Sequence, residues 1–327
     1  MTALVARLAR RVRRHSSRGV VLCYHRVAGP RPDRARLDVT PAQFAAHLAV
    51  LRTHACPMPL GDFERARRSG RLPSRAVAVT FDDGYADNLH SALPLLEAQD
   101  MPATVFITTA GIGADAEFWW DAIERICLAP QALPSRLALK AGGDEFAWTL
   151  DDVARASATD GRRPLYDALS AWFRARPVAV RTEALAQLHA WSGCASHARD
   201  THRTLRVDEL VTLAHSPLIE IGSHSVTHPA LGLLRVADAF DECVESRAAL
   251  ARWLGVAPTL FAYPFGDGAA IGPGAAAAVR EAGYAAAFTT GAQAAWRWNR
   301  STAVPRFAVQ AWDAEEFARR LDHWFDE

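Results

Sequence analysis

Net charge is almost absent from this chain: 37 Lys and Arg against 36 Asp and Glu leave a formal +1. A protein that grips phosphate backbones through its overall charge needs a basic excess, so nucleic acid is excluded as a partner on that ground. Lysine is nearly missing as well, Lys140 standing alone among arginines, which reflects coding composition and carries no chemistry. Paired cysteines are lacking, since Cys23, Cys56, Cys127, Cys194 and Cys243 are odd in number, 33 residues separate the closest two, and no CxxC exists. A zinc ribbon and a disulfide scaffold are thereby excluded. No apolar run approaches the roughly 20 residues that a membrane-spanning helix requires. At the N-terminus, residues 1–18 set Leu4, Val5, Leu8 and Val12 at helical spacing against Arg7, Arg10, Arg11, Arg13 and Arg14, with no continuous apolar stretch and no cleavage site. Two readings fit this basic segment: a terminal helix with one solvated face, or a peripheral contact with an anionic membrane surface. With no secretory signal and unpaired cysteines, the cytoplasm is the expected location, with membrane association through that segment as the variant.

What is present is ample core material: 327 residues, half of them hydrophobic. Seven short apolar runs bounded by turn residues read as strands: Gly19 to Tyr24, Ala76 to Phe81, Ala103 to Thr108, Leu218 to Gly222, Leu260 to Tyr263, Tyr284 to Phe288 and Arg306 to Val309. Between most of them, apolar residues recur at three and four spacing, which predicts crossover helices and a parallel sheet, covered on both faces or closed into a barrel. Residues 111–216 break this rhythm. Helical stretches appear near 121–128, 164–173 and 181–191 without a convincing strand, so the interval reads as a helical insertion in a single domain spanning 19–327. Gly111 to Ala116 fits GxGxxA, but no acidic residue follows where a ribose would need one, and the segment reads as a loop.

Chemistry concentrates where strands end. Thr80-Phe81-Asp82-Asp83-Gly84 puts two adjacent carboxylates at the end of an apolar strand, the position where parallel α/β folds gather catalytic groups, although Asp-Asp-Gly also makes a good turn. After another strand comes Ser223-His224-Ser225-Val226-Thr227-His228-Pro229. Histidines four apart on a helical turn face one side and can share a metal. With one aspartate they form a two-nitrogen, one-oxygen set that leaves positions open. There is no GxSxG, and no cysteine has motif partners, so an acyl-enzyme lacks support.

Together TFDDG (80–84), HSVTH (224–228) and Phe261-Ala262-Tyr263-Pro264-Phe265-Gly266, in this order, resemble the first three motifs of the polysaccharide deacetylases, the NodB-homology or carbohydrate esterase family 4 enzymes. Tyr24-His25-Arg26-Val27 and Phe118-Trp119-Trp120-Asp121 extend the resemblance to the members with a YHRV start and an FAYPFG third motif. It implies an α/β fold, a distorted (β/α)7 barrel with a helical insertion, holding a divalent metal, zinc first and Co2+, Ni2+ or Mn2+ as alternatives. It implies hydrolysis of N-acetyl groups on a polysaccharide or its lipid-linked precursor, with an N-acetylated glycan as the partner. By motif, Asp83, His224 and His228 are the metal ligands and Asp82 the catalytic base. Phe265, through the N–H after Pro264, matches the oxyanion position, with Tyr263 and Trp119 on the substrate side. A bound metal that activates water and a carboxylate that takes its proton agree with these residue types.

Two departures from the family pattern stand out. Ala262 occupies the place of the arginine that holds the base in many members, and Arg306, on the last predicted strand, is the candidate replacement. The late Leu-x-His motif that supplies the acid is missing, and His323 sits in a terminal helix. His25 is then an alternative acid or substrate contact, and Asp82 acting in turn as base and acid is a further option. Trp119 and Trp120 can offer a flat platform to a sugar, but neighbours on a helix cannot share one face. Two rival functions remain: O-acetyl ester or other non-peptide C–N hydrolysis at the same site, and a glycan-binding protein that has lost catalysis.

Overall fold

The computed structural model describes residues 18–29, 36–128, 131–156 and 160–326. Of the basic N-terminal segment only Arg18 falls within the described residues, so its helix and its membrane contact lie outside them.

Thirteen strands are present among the described residues: β1 (Arg18–Tyr24), β2 (Arg26–Val27), β3 (Asp38–Val39), β4 (Cys56–Pro57), β5 (Ala76–Phe81), β6 (Ala103–Ile107), β7 (Arg136–Ala141), β8 (Asp144–Thr149), β9 (Ile219–Ser223), β10 (Leu260–Ala262), β11 (Ala286–Phe288), β12 (Ala295–Trp296) and β13 (Phe307–Ala308). Every one of the seven expected strands is among them. Six run parallel in the order β11-β10-β9-β6-β5-β1, and β13 pairs parallel with the far edge of β1, Leu22 opposite Phe307. The stretch leading into β13 also bridges back to β11, Phe288 opposite Val304. One segment therefore touches both edges and closes a ring of seven parallel staves. Three-residue β10 and β11, and the antiparallel wedge of β12 on Arg18 and Gly19, make the ring irregular.

β5 shows why these residues form such a ring. All six are buried, and because side chains alternate along a strand, both faces must be apolar. Val77, Val79 and Phe81 join Val20, Leu22 and Tyr24 in a core with Phe44, Leu93 and Phe317, which come from the helices Pro41–His54, Leu93–Ala98 and Ala314–Asp326. Ala76 and Ala78 face the other way, with Val21, Phe106, Ala262 and Phe288, into the barrel, where Leu60 and Phe63 of the helix Leu60–Ser69 plug one end. Seven staves leave little room inside. A Cβ on Gly19 would collide with the Phe63 ring, and one on Gly222 with the Phe106 ring, so glycine is needed at both.

Within 111–216 the helices Trp119–Leu128, Arg163–Arg174 and Val178–Ser192 match the helical reading. The absence of strands does not hold. β7 and β8 form an antiparallel hairpin from Arg136 opposite Thr149 to Ala141 opposite Asp144. Its turn places Gly142 and Gly143 at φ 58° and 87°, the two left-handed positions a tight hairpin needs. The segment packs around its own apolar cluster, including Leu137, Leu139, Leu165, Phe173 and Leu188. No helix among the described residues is long and apolar enough to cross a membrane.

Candidate active site

Along β5 the inward row runs Ala76, Ala78, Thr80 and, one step past the strand, Asp82. Thr80 and Asp82 are fully buried or nearly so. Arg306, just before β13 and with no exposed surface, forks onto Asp82 with Nη1 to Oδ1 and Nη2 to Oδ2, each 2.7 Å. It also donates to Thr80 Oγ1 at 3.0 Å and to the Thr289 carbonyl at 3.2 Å, which leaves the guanidinium no freedom to turn. Cys23 Sγ donates to Asp82 Oδ2 at 3.4 Å. Burial pushes the Asp82 carboxyl up, but Arg306 and His224 more than reverse this, and Asp82 lies well below the ordinary carboxylate range.

Asp83 turns away at φ 75°, and Gly84 follows at φ 83°. The consecutive carboxylates thus part company: Asp82 stays with Arg306, while Asp83 Oδ1 points at His224 Nε2 (3.5 Å) and His228 Nε2 (3.4 Å). His224 directly follows β9. The structure corrects the expected helical turn, because residues 225–228 form a loop with left-handed φ at Ser225 (66°) and His228 (53°). Two features stabilise that loop. Ser225 Oγ accepts from the His228 N–H at 3.1 Å, and Glu242, on the helix Val236–Leu254, accepts from Val226 N–H (2.8 Å) and Thr227 N–H (2.9 Å).

The donor set fits a divalent cation. Asp83 Oδ1 is buried with no hydrogen-bond partner, and one ligand atom from each of Asp83, His224 and His228 lies within 4.8 Å of the others. His224 Nδ1 lies 2.7 Å from the Ala262 carbonyl, so that nitrogen carries the proton and Nε2 offers its lone pair to the site. Burial, then Asp82, drives Asp83 up, and burial drives both histidines down. A buried carboxyl with no donor, facing two neutral imidazoles, is costly for protein alone and suited to a metal with nitrogen and oxygen ligands.

A cleft of about 440 Å³ opens over these groups. His25 lines it, with a ring nitrogen within 4.8 Å of Cys23 Sγ and an Asp82 oxygen; burial lowers its pKa to about 4. Phe265, at φ 62°, also lines it, its ring 4.7 Å from His228 and its N–H without a partner among the described residues. Tyr263 and Pro264 do not line the cleft. The Tyr263 hydroxyl donates to the Thr302 carbonyl at 2.9 Å and its ring packs on Phe261, so its contribution is to the fold. Trp119 lines the cleft, with its ring stacked on Phe173 and its Nε1 buried without a partner. Trp120 stacks on Phe118 and donates to Tyr85, whose hydroxyl donates to Asp121 at 2.6 Å. A platform shared by the two indoles is absent, because their rings stand 83° apart and Trp120 is buried against Phe118.

Sequence reasoning missed Tyr166, Ser170 and Arg174, which the 111–216 segment brings to the cleft from the helix Arg163–Arg174. Arg174 lies over the Phe265 ring, 4.5 Å from its centroid, and pairs with Asp267. Glu242 and Cys23 were missed as well. None of these residues stands in a local pattern that marks it.

The profile of the polysaccharide deacetylase family matches residues 69–133 and 188–287, half of the chain, with Asp83, His224 and His228 inside the matched ranges. The chain belongs to the polysaccharide deacetylase family. Structural likeness agrees at the level of fold. The Streptococcus pyogenes deacetylase PplD, solved with acetate, is 16% identical with a TM-score of 0.60, covering 94% of this chain and 99% of that one. IcaB from Ammonifex degensii is 19% identical with a TM-score of 0.58, covering 95% and 97%. Among curated proteins, the poly-β-1,6-N-acetyl-D-glucosamine N-deacetylase of Staphylococcus aureus is 31% identical over 79 residues, 24% of this chain and 27% of that protein. The alignment thus spans about a quarter of that relative's length.

Proposed function

We propose that this family member is a metal-dependent N-deacetylase acting on an N-acetylated polysaccharide or its lipid-linked precursor. The observation that carries this reading is the division of labour between adjacent carboxylates: Asp82 locked ionised by Arg306 at 2.7 Å, Asp83 unpartnered beside two neutral histidines. A divalent cation held by Asp83, His224 and His228, zinc being the first choice for this donor set, would polarise the amide carbonyl and lower the pKa of a water. Asp82 then takes the proton of the attacking water as the C–O bond forms. Phe265, through its free N–H, donates to the carbonyl oxygen as negative charge develops there. When the C–N bond breaks, protonated Asp82 returns that proton to the leaving nitrogen, and acetate and free amine result. His25, neutral at physiological pH with its pKa near 4, suits a hydrogen bond to the sugar better than the role of acid. The five free cysteines support a cytoplasmic setting, hence action before export.

The test is acetate and free-amine release from N-acetylglucosamine oligomers by zinc-reconstituted protein, wild type beside Asp82→Asn, with bound metal quantified in both. A fall of about a hundredfold or more at unchanged metal content is expected for loss of the general base. Acetate release from O-acetylated glycans alone would move the assignment to an esterase. Glycan binding without turnover, surviving chelation, would make the protein a binder.

A further inference from the structure

The loop that carries His228 is held at its carbonyls by an arginine from the 111–216 segment. Arg181, on the helix Val178–Ser192, is 4% exposed and donates through Nη1 to the His228 carbonyl (3.2 Å) and through Nη2 to the Thr227 carbonyl (3.1 Å). No carboxylate lies within ion-pair distance of it among the described residues, and Arg181 Nε has no partner there. A buried guanidinium devoted to two successive main-chain carbonyls is an expensive arrangement. Its effect is specific: a planar fork fixes the orientation of both peptide groups at once. Glu242 holds Val226 N–H, Thr227 N–H and the Thr227 hydroxyl (2.5 Å), so a cation grips the oxygens of the loop and an anion its hydrogens.

The loop needs such a grip. Ser225 and His228 both sit in the left-handed region, which non-glycine residues adopt at a cost and keep only where their surroundings insist. Arg181 falls in the stretch between residues 133 and 188 that the family profile does not match. Its helix is anchored by Ala184 and Leu188 in the apolar cluster of the 111–216 segment. The clamp therefore runs from the insertion's own core to the backbone of a barrel loop.

We infer that Arg181 is a positioning residue for the metal-binding set: by fixing the Thr227 and His228 carbonyls it fixes the His228 ring against Asp83, and so makes divalent-cation affinity depend on the insertion. The inference rests on the reading of Asp83, His224 and His228 as ligands.

The experiment measures zinc affinity of the full chain by competition with a chromophoric chelator, for wild type, Arg181→Lys and Arg181→Met, each first checked for folding without metal. Arg181→Met should bind zinc about tenfold or more weakly, the size seen when groups that orient ligands are removed, with Arg181→Lys, a single point donor, in between. In a His228→Ala background, Arg181→Met should change the residual affinity by less than about twofold, because the effect travels through that ring. Undiminished zinc binding in Arg181→Met, or an equal loss with and without His228, overturns the inference and reduces Arg181 to a general prop. If Arg181→Met does not fold, Arg181→Lys decides: wild-type affinity overturns the clamp, weakened affinity supports it. A wild type that binds no zinc overturns the ligand reading itself, an outcome distinct from the others.

Discussion

An Arg306→Met substitution would leave Asp82 as a buried carboxylate, with the Cys23 thiol at 3.4 Å and the His224 ring at 3.9 Å as its nearest polar company. It removes two charge-assisted bonds of 2.7 Å in a region where neither partner is more than 3% exposed. Breaking one side of such a pair costs about 3–5 kcal/mol, mostly because the remaining charge has lost its compensation. The pH dependence gives the sign. In the wild type the folded Asp82 value lies below the ordinary one, so the pair's contribution is present above the unfolded pKa of about 3.9 and is lost as pH falls toward the folded value. Without Arg306 the burial that now opposes ionisation prevails, and the folded pKa moves above the unfolded one. The penalty of the variant should then shrink toward pH 4.5 and grow toward pH 7. Urea unfolding of chelator-treated wild type and Arg306→Met at both pH values measures it, and Asp82→Asn with Arg306→Met should recover most of the loss by removing the stranded charge. A loss under about 1 kcal/mol at pH 7, a penalty independent of pH, or a double variant as unstable as the two losses summed would refute the reasoning.

Asp83→Asn should separate stability from function: asparagine tolerates the φ of 75° and carries no charge beside Asp82, so the metal-free chain should gain on the order of 1 kcal/mol at pH 7 while losing the thermal shift that zinc gives the wild type, both read by calorimetry. Trp119→Phe keeps a ring for stacking on Phe173 and removes a buried N–H that has no partner, so the metal-free chain should gain on the order of 1 kcal/mol in urea unfolding, and a loss of that size would show that the N–H is paired.

The seven staves were legible because each is an apolar run cut off by turn or functional residues, and burial on both faces leaves no polar alternation to confuse it. Arg306 was legible by position: a cation at the start of the last stave sits at the same rim as Asp82. β2, β3, β4 and β12 were not, since two residues held only by neighbours carry no period. The β7–β8 hairpin did carry its signal, Leu137, Leu139 and Ala141 alternating with exposed residues up to Gly142-Gly143, and a helical expectation for the surrounding stretch outweighed it. The histidine spacing pointed to the pair that converges on Asp83 but by the wrong geometry, because a loop with two left-handed residues can converge side chains as well as a helical turn does. Arg181 and Glu242 bond to backbone 46 and 15 residues away at Thr227, and main-chain partners leave no trace in side-chain patterns.

Ring closure gives the site an order of assembly. Asp83, His224 and His228 all precede the stretch 304–308 in synthesis, whereas Arg306 lies within it, and Leu22 must wait for Phe307 before the last edge is paired. Contacts of such long sequence separation form late, since their loop must close before they contribute. A growing chain can therefore gather its cation-holding residues while the neighbouring carboxylate still lacks the guanidinium that fixes its orientation. Under the proposed chemistry the stretch that closes the ring is also the one that aims the base, so barrel closure and the final orientation of Asp82 are a single structural event.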